Sequence, residues 1–285
     1  MPRRRVLEAC EAKASEPGGP MNDALPTRGV PRPAEQKWPD ALWIVRHGQS
    51  AGNVARDAAE AAKAHLIDIE WRDVDTPLSS LGEAQADALG RWFAGMPDDT
   101  KPTVVLASPY VRARTTAERI VAGFGDDVTF QVDERLREKE FGILDRLTKA
   151  GIVHKYPELA EQRKHVGKFY FRPPGGESWC DVILRLRSVI ETITREYRGE
   201  RVLVVSHQVI VNCFRYLLER LDERRILEID READVPNCSV TSYRFDRTRG
   251  RQGKLVLDLV NFVAPLEAAH APITVEKDVP VAAKP

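Results

Sequence analysis

The sequence predicts an α/β protein, a three-layer sandwich in which a largely parallel central sheet is flanked by helices. Short continuous apolar runs stand at Leu42-Trp43-Ile44-Val45, Thr103-Val104-Val105-Leu106-Ala107 and Val202-Leu203-Val204-Val205. Such runs suit strands buried on both faces. Between them lie stretches whose apolar residues recur at helical spacing, and no internal repeat interrupts the order.

Taken along the chain, Ala51 to about Leu66 is helical by propensity, and Thr76-Pro77 breaks it. Ser80-Leu81-Gly82-Glu83 matches a capping box, and Leu81, Ala84, Ala88, Leu89, Trp92 and Phe93 follow on one helical face. The second strand leads through Ser108-Pro109 into a helix that runs past Ile120 and stops near Gly123. Ser178 caps a helix whose Val182, Leu186, Val189, Ile193 and Tyr197 share a face. The third strand ends at Ser206-His207, and a helix from about Val209 to Glu219 follows. Strands near 240–245 and 254–260, joined through Arg249-Gly250 and Gln252-Gly253, complete the pattern.

Residues 1–38 and 265–285, rich in Pro and Ala, read as mobile tails around one domain at 39–264. Lys plus Arg and Asp plus Glu balance at 43 each, so no global field draws the chain to nucleic acid or an anionic membrane. Any affinity for anions is therefore local. No apolar run reaches the roughly 18 residues that span a bilayer. Cys10, Cys180, Cys213 and Cys238 form no C-x-x-C pair, which argues against a disulfide framework or structural zinc and fits a reducing cytoplasm. Arg3, Arg4 and Arg5 are followed by Glu8, Glu11 and Glu16 without an apolar core, so no secretory signal is expected.

In open α/β sheets ligands sit beyond the carboxyl ends of strands. Three strands here end in Arg46-His47, in Ser108 to Arg112 and in Ser206-His207, which predicts two histidines and two arginines at one rim. A phosphate monoester needs an in-line nucleophile, positive charge around its equatorial oxygens and a proton for the leaving alkoxide. Neutral His47 suits the attack, with Arg46 and Arg112 disfavouring its protonation and clamping the phosphate. As structural alternatives, the histidines would be satisfied core residues and the arginines ordinary ion-pair partners. His65, His154, His165 and His270 have no matching context and receive no role.

The residues Leu42 to Asn53, LWIVRHGQSAGN, resemble the R-H-G signature of the histidine phosphatase superfamily, which includes phosphoglycerate mutases. Ser108 to Ala117 is similar to the family's S-P-x-x-R-A-x-Q-T-A segment, with Thr115 in place of its glutamine. Leu136-Arg137-Glu138 resembles its L-x-E segment, and His207 of VLVVSHQ its second histidine. The resemblance implies a phosphoglycerate mutase-like fold, phosphorylation of His47, phosphoryl contacts from Arg46, Arg112 and His207, and proton transfer by Glu138. It adds Asn53 and Ser50 to the phosphate pocket. No metal and no cofactor are called for. Glu138 stands in the charged run Glu134 to Glu140, so Glu140 or another acid stays open as the donor.

Residues 139–177 are expected to form an insertion over the site, in which Tyr170 and Arg172 either contact substrate or belong to a packed loop. That insertion's G-E-S, with Gln208 of S-H-Q, resembles the bisphosphatase domain of the bifunctional enzyme that handles fructose 2,6-bisphosphate. Gly175 and Gly176 stand where that family has a basic residue, and no phosphate-cradling G-x-x-x-x-G-K-[ST] loop is present. The expectation is a metal-independent phosphatase of small phosphorylated metabolites. A phosphoglycerate mutase, a fructose-2,6-bisphosphatase and an inactive phospho-ligand scaffold are the alternatives, and self-association into a homo-oligomer is left open.

Overall fold

The structure, a computed structural model, describes residues 36–124 and 127–275. Residues 1–35 of the expected N-terminal tail and 276–285 of the C-terminal one lie outside the described residues. The elements follow as β1 (Ala41–Arg46), α1 (Ala51–Ala61), α2 (Ser80–Ala94), β2 (Val104–Ala107), α3 (Val111–Val121) and β3 (Thr129–Val132). Then come α4 (Lys149–Lys155), α5 (Pro157–Val166), α6 (Trp179–Glu196), β4 (Arg201–Ser206), α7 (Gln208–Glu219), α8 (Glu223–Glu232), β5 (Val240–Asp246), β6 (Lys254–Phe262) and α9 (Ala264–Ala268).

The six strands form one sheet in the order β3-β2-β4-β1-β5-β6. β1 to β4 are mutually parallel, while β5 runs antiparallel to β1 and β6 to β5. Alternation along the buried strands divides the core in two. Leu42, Ile44, Val104, Leu106, Val202 and Val204 pack with residues of α6, α7 and α8. Trp43, Val45, Val105, Ala107, Leu203 and Val205 face α2 and α3 on the other side. The expected three-layer α/β sandwich is thus the observed one.

Local chemistry corrects some boundaries. The cap of α2 is Ser79, one residue before the expected Ser80, because its Oγ accepts from the Gly82 N–H at 3.0 Å. The glycine in that first turn is required by space. A Cβ on Gly82 would stand 1.9 Å from the Gln49 carbonyl oxygen, and one on Gly48 would stand 2.4 Å from the Gly82 oxygen. This contact seats the start of α2 against the loop after β1.

The stretch from 265, expected as a tail, is packed. Leu266 is fully buried in α9, and Asn237 N–H donates to the Thr274 carbonyl at 2.9 Å. The 139–177 insertion forms two short helices, α4 and α5, around a small core of Leu144, Leu147 and Phe171. Among the described residues no helix is long and apolar enough to cross a membrane.

Candidate active site

His47 leaves β1 with its N–H donating to the Ser206 carbonyl at 2.9 Å, which fixes the end of β1 against the end of β4. Its Nδ1 lies 2.7 Å from the Gly48 carbonyl. A carbonyl only accepts, so Nδ1 carries the proton and Nε2 keeps the lone pair. Burial, then Arg112 and Arg46, hold the imidazole well below its ordinary protonation range. Asn237 Nδ2 donates to the His47 carbonyl at 2.9 Å and fixes the backbone from the far side.

Around this ring the predicted residues gather. Arg112, in the first turn of α3, donates from Nε toward His47 Nε2 at 3.3 Å. Arg46 is buried and donates from Nη1 to the Val235 carbonyl at 2.6 Å. Burial lowers its pKa to about 10, with Glu138 acting against that shift, so it stays cationic at neutral pH. The His207 ring lies 5.1 Å from that of His47, centroid to centroid. Its Nε2 is 2.8 Å from Ser108 Oγ, and its buried Nδ1 has no hydrogen-bond partner among the described residues. His207 too is held well below its ordinary range by burial and then by Arg112.

Glu138 Oε1 accepts from the Lys139 N–H at 2.7 Å. Burial raises the Glu138 pKa, while that hydrogen bond and Arg112 act the other way. Its backbone is anchored by Arg185, whose Nη2 donates to the Glu138 carbonyl at 3.1 Å while Nε pairs with Glu177 at 3.0 Å. Glu140 is engaged elsewhere, accepting from the Tyr110 hydroxyl at 2.9 Å. Of the acids in the charged run, Glu138 lines the cavity and Glu134 and Glu140 do not.

The cavity measures about 600 Å³, and His47, Arg112, Glu138, Asn53, Ser50 and Gln208 are all on its wall. Arg46 and His207 sit just beneath that wall, almost without exposure. Ser50 serves mainly as the cap of α1, with Asn53 completing a reciprocal capping box. Two expected substrate contacts are not brought in. Arg172 is spent on an ion pair with Asp181, and Tyr170 points to solvent with its hydroxyl bonded to Glu223. Neither is on the cavity wall.

Sequence reasoning missed other wall residues. Lys139, Arg163 and Lys168 form a basic part of the wall, and Asp230 stands 2.5 Å from Lys168 Nζ. Burial brings the Lys139 pKa down to about 8, and it also lowers those of Arg163 and Lys168. Ile67, Ile69, Leu147 and Ile152 form an apolar flank. Lys139, Leu147, Ile152, Arg163 and Lys168 lie in the 139–177 stretch expected over the site, though no motif singled them out, and Ile67, Ile69 and Asp230 belong to no strand end or quoted motif. Among the described residues no group of three or more His, Cys, Asp or Glu side chains is placed to hold a metal ion.

A profile of the histidine phosphatase superfamily (branch 1) matches residues 42–257. The chain is 31% identical over 220 residues to a 6-phosphofructo-2-kinase/fructose-2,6-bisphosphatase of Caenorhabditis elegans, a match covering 74% of this chain and 43% of that one. It therefore spans less than half the length of this relative. It is 33% identical over 198 residues to a 2,3-bisphosphoglycerate-dependent phosphoglycerate mutase 2 of Gloeobacter violaceus, covering 68% of this chain and 83% of that one. A mycobacterial glucosyl-3-phosphoglycerate phosphatase, solved with inorganic phosphate, superposes with a TM-score of 0.60 at 25% identity, over 79% of this chain and 99% of that one. The matched span holds both histidines, both arginines and Glu138, and the chain belongs to the histidine phosphatase superfamily.

Proposed function

We propose that the protein is a phosphatase that hydrolyses phosphate monoesters of small metabolites through a phosphohistidine on His47. One observation carries the reading: His47 has its proton fixed on Nδ1 by Gly48 and its Nε2 turned to Arg112, in a cavity that Glu138 also lines. Nε2 attacks phosphorus as the P–O bond to the alcohol breaks, and protonated Glu138 gives its proton to the leaving oxygen. Glu138, now ionised, takes a proton from water, which attacks the same phosphorus and breaks the P–N bond. Inorganic phosphate leaves, and His47 and the protonated acid are restored. Arg46, Arg112 and His207 hold the equatorial oxygens, and the two arginines supply the charge for which other phosphotransferases use magnesium.

The cavity size and the basic wall of Lys139, Arg163 and Lys168 favour a substrate larger than the phosphoryl group, bearing a second anionic group. Hydrolysis of p-nitrophenyl phosphate in excess chelator tests the reaction. Turnover that is lost in His47→Ala is expected; an inert wild type between acidic and neutral pH contradicts it and favours a phospho-ligand scaffold. A trapped phosphoenzyme should survive alkali and decay in acid, whereas an acid-stable adduct would place the chemistry on another residue.

A second reading follows from the similarity to a phosphoglycerate mutase. A mutase must keep water out while its phosphoenzyme waits for the intermediate to turn over. Incubation with 3-phosphoglycerate and a trace of 2,3-bisphosphoglycerate separates the two. Slow phosphate release supports the phosphatase, and fast isomerisation supports the mutase.

A further inference from the structure

Asp73 begins a single 3-10 turn, Asp73–Asp75, in the connection between α1 and α2, and it occupies the arginine that a phosphoryl group would need. Arg112 Nη1 donates to the Asp73 main-chain oxygen at 2.6 Å and pairs with Oδ1 at 3.0 Å, while Nη2 approaches Oδ2 at 3.4 Å. The remaining nitrogen, Nε, faces His47 Nε2. A guanidinium recognises carboxylate and phosphate with the same planar fork, so the two anions compete for one set of N–H groups. Exposure tells which partner can move. The Arg112 side chain is only 7% exposed, whereas that of Asp73 is 41% exposed on a surface connection. The cation is fixed in the wall, and the carboxylate lies on the solvent side.

We propose that Asp73 is a carboxylate gate on the phosphate pocket, holding Arg112 in the unliganded protein and yielding it to the incoming phosphoryl group. Its negative charge then sets how tightly the pocket takes phosphate. This rests on the preceding reading only in placing the phosphoryl group at Arg112. Two cations, Arg56 and Arg112, and three proton-bearing groups, Tyr110, Glu138 and Asp145, lie within reach of the Asp73 charge. The Asp73 charge acts on Glu138 in the direction that favours the protonated acid. Removing the charge should therefore also move the alkaline limb of the rate profile to lower pH. A residue that merely held the loop in shape would leave that limb in place.

The test is calorimetric binding of inorganic phosphate to the full chain at fixed ionic strength, for wild type, Asp73→Asn and Asp73→Ser. Loss of one competing, partly exposed ion pair should tighten phosphate binding by about 3- to 10-fold in both variants. Unchanged or weaker binding in both overturns the gate and makes Asp73 an outer support that aims Arg112. No measurable phosphate binding to any of the three proteins overturns it as well. Binding is read without turnover, so its result is separable from that of the catalytic reading. An inert wild type with the expected gain in the variants sinks catalysis and keeps the gate. A wild type that turns over while the variants show no gain does the reverse.

Discussion

At Ser108 the hydroxyl oxygen accepts from the Tyr110 N–H at 3.3 Å and lies 2.8 Å from His207 Nε2, with its own proton free to go to that nitrogen. When Ser108 donates to Nε2, the ring proton of His207 stands on Nδ1, a buried atom without a partner among the described residues, where it can donate to a phosphoryl oxygen. Ser108 is then a positioning residue. Ser108→Ala should lower kcat/KM by up to about tenfold, the upper value of one lost neutral hydrogen bond, and Ser108→Thr should restore part of it. If Ser108→Ala has wild-type kcat/KM, the tautomer is set elsewhere. Protonation of His47 and Glu138 also sets the rate profile. Attack requires His47 neutral, and its pKa lies well below 6.5 because of burial and the two arginines. Departure of the alkoxide requires Glu138 protonated, and burial raises its pKa above 4.5. The limbs therefore approach each other from opposite sides, and kcat/KM should form a bell with its maximum on the acid side of neutrality. A maximum above pH 8, or a flat profile, would contradict these assignments.

The elements that carry the site were those most legible in the sequence. β1, β2 and β4 are adjacent in the sheet and buried on both faces, so their apolar runs stood out, and the residues at and beyond their ends held Arg46, His47, Arg112 and His207. β3 was missed because Thr129–Val132 is a largely exposed edge strand with no apolar run. α4, α5 and α8 were missed as well. α5 has no buried residue at all, and its polar faces leave no period to read. Asp73 was invisible because its importance comes from a contact across 39 positions of chain. The C-terminal stretch was misjudged on its prolines. Gln85 Nε2 donates to the Pro272 carbonyl at 2.8 Å and to Thr274 Oγ1 at 3.0 Å, and Thr274 Oγ1 donates to Asn237 Oδ1 at 3.0 Å. Asn237 in turn holds the His47 carbonyl. This segment thus braces the nucleophile from behind and brings Val275 to the cavity wall. A chain ending at Ala271 should lose about tenfold in kcat/KM by misplacing His47, and Asn237→Ala should reproduce part of that loss. Full activity in the shortened chain would reduce the segment to a surface strap.

For the whole molecule, the same burial that keeps two imidazoles neutral ties stability to pH. His47 and His207 bind protons in the unfolded chain below about 6.5 but resist them when folded, so the unfolded state takes up protons on acidification. The stability they allow is fully present above 6.5 and is lost as pH falls toward their depressed folded values. Two such protons correspond to a slope of at most about 2.7 kcal/mol per pH unit. Glu138 has the opposite sign, because its raised pKa lets the folded state bind a proton first; where all three titrate, about 1.4 kcal/mol per unit remains. Lys139 and Arg46, brought to about 8 and about 10, complete their contributions above this window. Urea unfolding between pH 7 and 5 should therefore show declining stability, and His207→Asn should flatten the slope by about one proton. Stability that is level or rises over that range would mean that the buried rings protonate within the fold. The expected activity maximum lies on the same acidic side, so catalysis and folding pull against each other there. Inorganic phosphate, by occupying the pocket, should restore part of the lost stability in proportion to its binding.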